Sequence, residues 1–160
     1  MIKILNPYYS ARWVGVWFFL AVSVLQANGN LNDTRWQFVE FQSMDDSQGI
    51  SKPDNSADYT MQLNADGSVN MQLNCNRAIG SWKARPGPDP EYNSGQFNFG
   101  PLAMTRMLCP PPSMDEMIAL QSAYVHSYVL ENNRLYLSLM ADGGIFVWEA
   151  VSEQSAGQPD

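Results

Sequence analysis

Tyr59-Thr-Met-Gln-Leu-Asn-Ala-Asp-Gly-Ser-Val-Asn-Met-Gln-Leu-Asn-Cys75 is the stretch that decides the fold. Tyr59, Met61 and Leu63 alternate with Thr60, Gln62 and Asn64, and Val69, Met71 and Leu73 alternate with Asn70, Gln72 and Asn74. Successive strand side chains point to opposite faces, so a period of two marks a half-buried strand. Asp66-Gly67, between the two runs, tolerates the positive φ of a tight turn. The whole predicts a β-hairpin with one apolar face and one amide face. Cys75 lies two positions beyond Leu73 and falls by parity on the apolar face.

Downstream, Asn76-Arg77 is expected to leave the strand, and Gly80 to permit a turn or a close backbone approach. Ser81 to Ala84 reads as a short strand with Trp82 inward. Pro86-Gly-Pro-Asp-Pro90 reads as a loop that cannot hold a ladder. Alternation resumes with Phe97 and Phe99 on one face, and Gly100-Pro101 ends that strand. Leu102-Ala-Met-Thr-Arg-Met-Leu-Cys109 is apolar but for Thr105 and Arg106, and Pro110 to Pro112 stops it. Ser113 with Glu116 has the spacing of a capping box. Met114, Met117, Ile118 and Val125 give the apolar stripe of a helix over about 114–124, with Asp115 and Glu116 in the first turn, where the helix dipole favours them. A strand at Tyr128–Leu130, a turn at Glu131–Asn133, a strand carrying Leu135, Leu137 and Leu139, a tight turn at Asp142–Gly144 and a strand at Ile145–Ala150 follow.

Upstream, Thr34 to Phe41 places Trp36 and Phe38 on one face. Val39 and Phe41 break the parity, so a bulge or twist is expected near Glu40. Gln42 to Asp58 is polar and reads as a long surface loop; its Asp45, Asp46, Asp54 and Asp58 lack the ligand spacing of a calcium loop. Residues 28–33 read as a polar linker, 34–151 as the domain and 152–160 as a polar tail. The fold class is α+β: a mostly antiparallel, highly curved sheet or incomplete β-barrel of about eight short strands with one helix.

Residues 1–27 read as a secretory signal segment. Lys3 and Arg12 precede an apolar run of 13 residues, Trp13 to Leu25, with small residues Ala27 and Gly29 beyond it. A membrane-spanning helix needs roughly 20 such residues. The expected location is therefore exported, periplasmic or secreted, with membrane anchoring by an uncleaved segment as the alternative. Removing Lys3 and Arg12 leaves 7 basic residues against 16 acidic, a charge of −9. Such a balance argues against nucleic acid, whose phosphates need a basic face. Export would put Cys75 and Cys109 in an oxidising compartment, where one intramolecular disulfide is expected over two buried free thiols.

Little chemistry is written in the rest. His126 is the single histidine and no Gly-x-Ser-x-Gly elbow exists. There is no Cys-x-x-Cys pair, phosphate loop, dinucleotide fingerprint or facing carboxylate pair. A Cys–His nucleophile competes with the disulfide. Arg77 and Arg106, each near a cysteine, form a candidate anion or partner site. Nine methionines, five tryptophans and seven phenylalanines make an adaptable apolar interior, which an unclosed barrel would open to an apolar ligand.

Taken together, Trp36, Asp66-Gly67, Cys75-Asn76-Arg77-Ala78-Ile79-Gly80, Leu102 to Cys109 with its Met104-Thr105-Arg106, the acidic Glu116, and the strands from Leu135 to Trp148 resemble the META domain, or HslJ-like, family over about residues 31–151. The Leu102–Met107 segment is similar to that of the heat-inducible HslJ type. The resemblance implies a small mixed β/α domain, exported or surface-associated in bacteria, linked to heat shock and novobiocin tolerance, and in some parasites to secretion and virulence. It implies no enzymatic activity and no cofactor. Many bacterial relatives are lipoproteins, whereas this leader has no cysteine; the 42–58 loop and the 86–90 insertion are expanded. The expected function is that of a non-enzymatic, stress-related envelope protein, monomeric, which binds an unknown envelope protein or supports envelope integrity. The alternatives are a carrier of a small apolar ligand and, behind it, a thiol- or histidine-dependent enzyme.

Overall fold

The structure is a computed structural model and describes residues 30–89 and 92–151. The signal segment 1–27, Pro90 of the proline loop and the polar tail 152–160 lie outside the described residues. The expected hairpin is present as β3 (Tyr59–Leu63) and β4 (Ser68–Leu73), with Met61 opposite Met71 and Gly67 at a φ of 82° in the turn. Around it lie β1 (Thr34–Gln42), β2 (Ile50–Ser51), β5 (Asn76–Pro86), β6 (Ser94–Phe99), β7 (Ala103–Met104), helix α1 (Asp115–Gln121), β8 (Val125–Glu131), β9 (Arg134–Leu139) and β10 (Ile145–Ala150).

The sheet runs β10-β9-β8-β6-β5-β4-β3-β1, and β1 pairs back onto β10, so eight antiparallel strands close into a barrel. The α+β, antiparallel barrel expected from the sequence is therefore found, and the ring is complete. β2 and β7 are additions, on β1 and β5 respectively. The expected bulge falls at Val39, which the register skips between Phe38↔Trp148 and Glu40↔Val147. The extra residue turns both Phe38 and Phe41 inward, at 0% and 8% exposure. The interior is filled by apolar side chains: Met61, Leu63, Leu73, Phe97, Leu135, Leu137, Phe146 and Trp148 are fully buried. Phe38 meets Phe146 and Trp148 edge-on at 6.0 and 5.0 Å between ring centroids. Trp82 stacks on Phe97 at 5.8 Å.

One end of the barrel is plugged by α1. Ile118 is fully buried in the core, and the Met114 backbone N–H donates to the Tyr59 hydroxyl at 3.1 Å. The α-helix is shorter than the sequence implied; its last turn tightens into a 3-10 segment, Ser122–Tyr124. The capping box does not form. Met114 is the N-cap and makes no side-chain cap bond, because the Ser113 hydroxyl is engaged by Asp115, Asn74 and Tyr59 instead. At the opposite end Asn30–Asp33 is more than a linker: Leu31 is buried in the core, and Asp33 accepts from the Ala65 N–H at 2.9 Å. The 42–58 loop contains β2 and a 3-10 turn at Ser56–Asp58.

The largest correction concerns β5. Asn76-Arg77 does not leave a strand; it starts one, after a two-residue turn at Asn74-Cys75 in which Asn74 has a φ of 56°. Cys75 thus sits in the turn rather than on the inward face of β4. From Asn76 to Ser81, β5 pairs with β4 along one edge; from Trp82 to Pro86 it pairs with β6 along the other. Pro86 ends that ladder, opposite Gly95. β7 continues the line of β6, shifted by one residue at Gly100–Pro101. The close approach expected at Gly80 occurs there. A Cβ on Gly80 would lie 2.6 Å from Leu102 Cδ2 and 2.7 Å from the Pro101 carbonyl oxygen, so the strand pair requires glycine.

Candidate functional site

The densest polar arrangement is built where β5 begins. Cys75 and Cys109 form a disulfide with Cα atoms 5.6 Å apart, and no cysteine is left free. Next to it Asn76 points inward at 1% exposure. A buried amide must be satisfied or it costs about 1–3 kcal/mol per lost partner. Here it is satisfied from a distance in sequence. Nδ2 donates to the Met107 carbonyl at 2.9 Å and to Asp115 Oδ2 at 2.7 Å, and lies 3.2 Å from Cys109 Sγ. Oδ1 accepts from the Thr105 hydroxyl and the Met107 N–H, both at 2.8 Å. Thr105 in turn accepts from the Arg77 N–H at 3.0 Å, and its own N–H donates to the Arg77 carbonyl. One side chain therefore ties the β4–β5 turn, the 102–109 segment and the start of α1 together.

Asp115 completes the knot. Burial alone would raise its carboxyl pKa, but hydrogen bonds from Ser113, Asn76 and the Glu116 N–H outweigh that, and the net direction is down. A depressed carboxylate stabilises the fold above its unfolded pKa, about 3.9, and that stabilisation is lost as pH falls through the folded value. The stability gap between the natural protein and Asp115→Asn is therefore expected to be flat above pH ~5 and to shrink below pH ~4. Urea midpoints across that range measure it; a gap that widens in acid contradicts the assignment.

The remaining singled-out residues divide by place. Trp36 is buried, its indole N–H on the Thr34 hydroxyl at 2.7 Å. Asp66 shapes the β3–β4 turn, accepting from the Ser68 hydroxyl and N–H, the hydroxyl first in lowering its pKa. Met104 is half-buried against the core. Arg77 and Arg106 are both exposed, and the Arg77–Thr105 pairing sets them on neighbouring segments. Neither forms an ion pair with a described carboxylate; Lys52–Glu40, at 3.1 Å, is the ion pair among the described residues. Apolar side chains on the same two segments stand in solvent: Ile79 at 60% exposure, Met107 at 58% and Leu108 at 101%. His126 is exposed at an irregularity of β8. Among the described residues no group of three His, Cys, Asp or Glu side chains is placed to hold a metal ion, and no helix is long and apolar enough to cross a membrane.

Sequence reasoning missed Asp115, Ser113, Asn74 and Tyr59 as members of the knot. The available signal was parity counted back from the inward Trp82 through Gly80 and Ala78, which places Asn76 on the core face, whereas parity carried forward from Leu73 had placed Cys75 there. It missed a groove at the unplugged end as well. That groove has a volume of about 680 Å³ and is bordered by Leu31, Trp82 and Tyr128 below and by Lys83, Arg85 and Gln96 at its rim.

A closed antiparallel barrel, plugged by one short helix and stapled at that end by a disulfide and a buried asparagine, defines the fold class. The chain belongs to the META domain family: the family model matches residues 29–151. A solved structure of similar fold, the NMR structure of a protein from Burkholderia xenovorans, has a TM-score of 0.61 at 19% identity, covering 93% of this chain and 100% of that one. The crystal structure of a DUF4847 family protein from Bacteroides vulgatus has a TM-score of 0.49 at 16% identity, covering 74% of this chain and 93% of that one. No functionally curated protein matches the chain.

Proposed function

We propose that this META-domain protein is a non-enzymatic, exported, stress-related binding domain that docks an envelope protein through the ridge of Arg77, Ile79, Arg106, Met107 and Leu108. The observation that carries the reading is Leu108, fully exposed next to Met107 on the segment that Thr105 ties to Arg77, with neither Arg77 nor Arg106 in an ion pair among the described residues. Apolar side chains held out by a rigid support, next to arginine, are the composition of an interface centre. The support is rigid because the disulfide and Asn76 fix the segment that presents them. A disulfide also suits an oxidising compartment, and it consumes both thiols that a cysteine nucleophile would need. The stress setting, heat shock and novobiocin tolerance, rests on the family resemblance alone. A partner of matching chemistry presents an apolar patch rimmed by carboxylates.

The test is a pull-down from the native envelope, with and without heat or antibiotic stress. The natural protein is expected to retain one protein that the combined Ile79→Ser, Leu108→Ser, Arg77→Gln, Arg106→Gln variant loses. Nothing retained in any condition, or equal retention by the variant, would reject the ridge.

A further inference from the structure

We infer that the partner docks by adding an extended strand to the free edge of the 102–108 segment, an assignment that rests on the ridge as the docking surface. Backbone bonding in this segment goes one way. Ala103 pairs with Ile79, the Thr105 N–H donates to the Arg77 carbonyl at 3.0 Å, and the Met107 N–H and carbonyl are both taken by the Asn76 amide. Bonds toward β5 at every second residue turn the groups in between to the other side. The N–H and carbonyl of Met104 and of Arg106 therefore point away from β5. β7 pairs with β5 alone, and none of these four groups has a hydrogen-bond partner among the described residues. Ala103 and Thr105 to Leu108 are exposed. An open edge of this kind is the template for an added strand. Pro101 and Pro110 bound the window in which such a strand can pair.

The outer face of the sheet decides what the strand carries. Arg77 and Ile79 are exposed on β5, opposite Thr105 and Ala103, which are exposed as well. An added strand extends both rows, since side chains on one face interact across neighbouring strands. The row of Ile79 and Ala103 is apolar. The row of Arg77 and Thr105 begins with a guanidinium that has no ion pair among the described residues. A glutamate added to that row stands two strand spacings, roughly 10 Å, from Arg77, within the joint reach of the two side chains. Arg106 strengthens the positive field, and residues 101–114 include no acid to cancel it. The complementary strand thus carries a carboxylate opposite Thr105 with apolar residues two positions to either side, facing Ala103 and Met107. A second copy of this chain fits worse: antiparallel self-pairing about Thr105 sets one Arg77–Arg106 pair against another with no carboxylate between them.

The probe is the peptide acetyl-Thr-Val-Thr-Glu-Thr-Val-Thr-amide, titrated into the full domain. Saturable binding is expected, with the Met104 and Arg106 N–H groups shifted in NMR spectra and slowed in hydrogen exchange. A peptide with lysine in place of glutamate is expected to bind at least tenfold more weakly, as is one N-methylated at the two threonines that flank the glutamate, whose amides would meet Met104 and Arg106. Arg106→Pro removes an outward N–H without breaking a bond of the domain, and is expected to lose the peptide while the urea midpoint stays within error. Absence of saturable binding, equal affinity for the N-methylated peptide, or amide shifts away from 102–108 overturns strand addition. So does a concentration-dependent dimer, seen by light scattering, that Arg106→Pro abolishes, because the edge would then belong to a second copy. The ridge is judged separately in the envelope pull-down: a protein that the side-chain variant loses and Arg106→Pro retains keeps the ridge and rejects the added strand.

Discussion

Replacing Asn76 by alanine is expected to lower the free energy of unfolding by about 3–5 kcal/mol, far more than a typical substitution. The loss is not the methylene and amide volume alone. It leaves the Met107 N–H and carbonyl without their partner, strips the Thr105 hydroxyl of its acceptor, and takes from Asp115 one of the bonds that holds it ionised. Each group stranded in a buried place costs about 1–3 kcal/mol, partly relieved where water enters. Asn76→Asp is expected to be no milder, because it sets a second carboxylate beside Asp115 Oδ2 where a donor stood. Urea unfolding with an unchanged m-value measures the loss. Hydrogen exchange at the Met107 N–H should accelerate in step. A loss under 1 kcal/mol would mean that the knot contributes little.

The second large effect is expected at the disulfide. Cys75 and Cys109 are 34 residues apart in sequence, and closing such a loop stabilises by about 4 kcal/mol on the chain-entropy estimate. Cys75→Ser and Cys109→Ser should each lose that amount, the double variant should lose no more than either single one, and a reductant should impose the same loss on the natural protein. Intact mass before and after reduction checks that the bond was present. Strictly additive single losses would show two independent thiols. The bond and the amide are neighbours, with Asn76 Nδ2 at 3.2 Å from Cys109 Sγ, so Asn76→Ala combined with Cys109→Ser is expected to fall short of additivity.

What was legible in the sequence was what adjacent residues encode. The alternations in 59–73, 135–139 and 145–150 reappear as β3–β4, β9 and β10, because a period of two has one meaning when one face is buried. The parity break at Val39 announced its bulge. Illegible were the choices settled by distant partners. Asn76 looked like a strand exit because parity carried forward from Leu73 set Cys75, not Asn76, on the core face; what holds Asn76 inward is five contacts from Thr105, Met107, Cys109 and Asp115. Ser113 had the spacing of a capping residue, but three competing groups claimed its hydroxyl. The rim of Lys83 and Arg85 reads as an ordinary solvated strand face. Their edge of β5 is left unpaired because β4 begins only at Ser68, opposite Ser81, a matter of relative strand length that no local pattern carries.

The pairing of β1 with β10 sets a timetable for the molecule. Trp36 lies against Ala150 and Gln42 against Ile145, so the ring is sealed by the earliest strand and the latest. Until residues 145–150 have emerged, β1 and β9 each present a bare ladder of amides and carbonyls, the template on which chains mispair. Non-local closure of this kind is slow. Between the making of Thr34 and the arrival of Ala150 both edges stay open, and the last strand decides when that exposure ends.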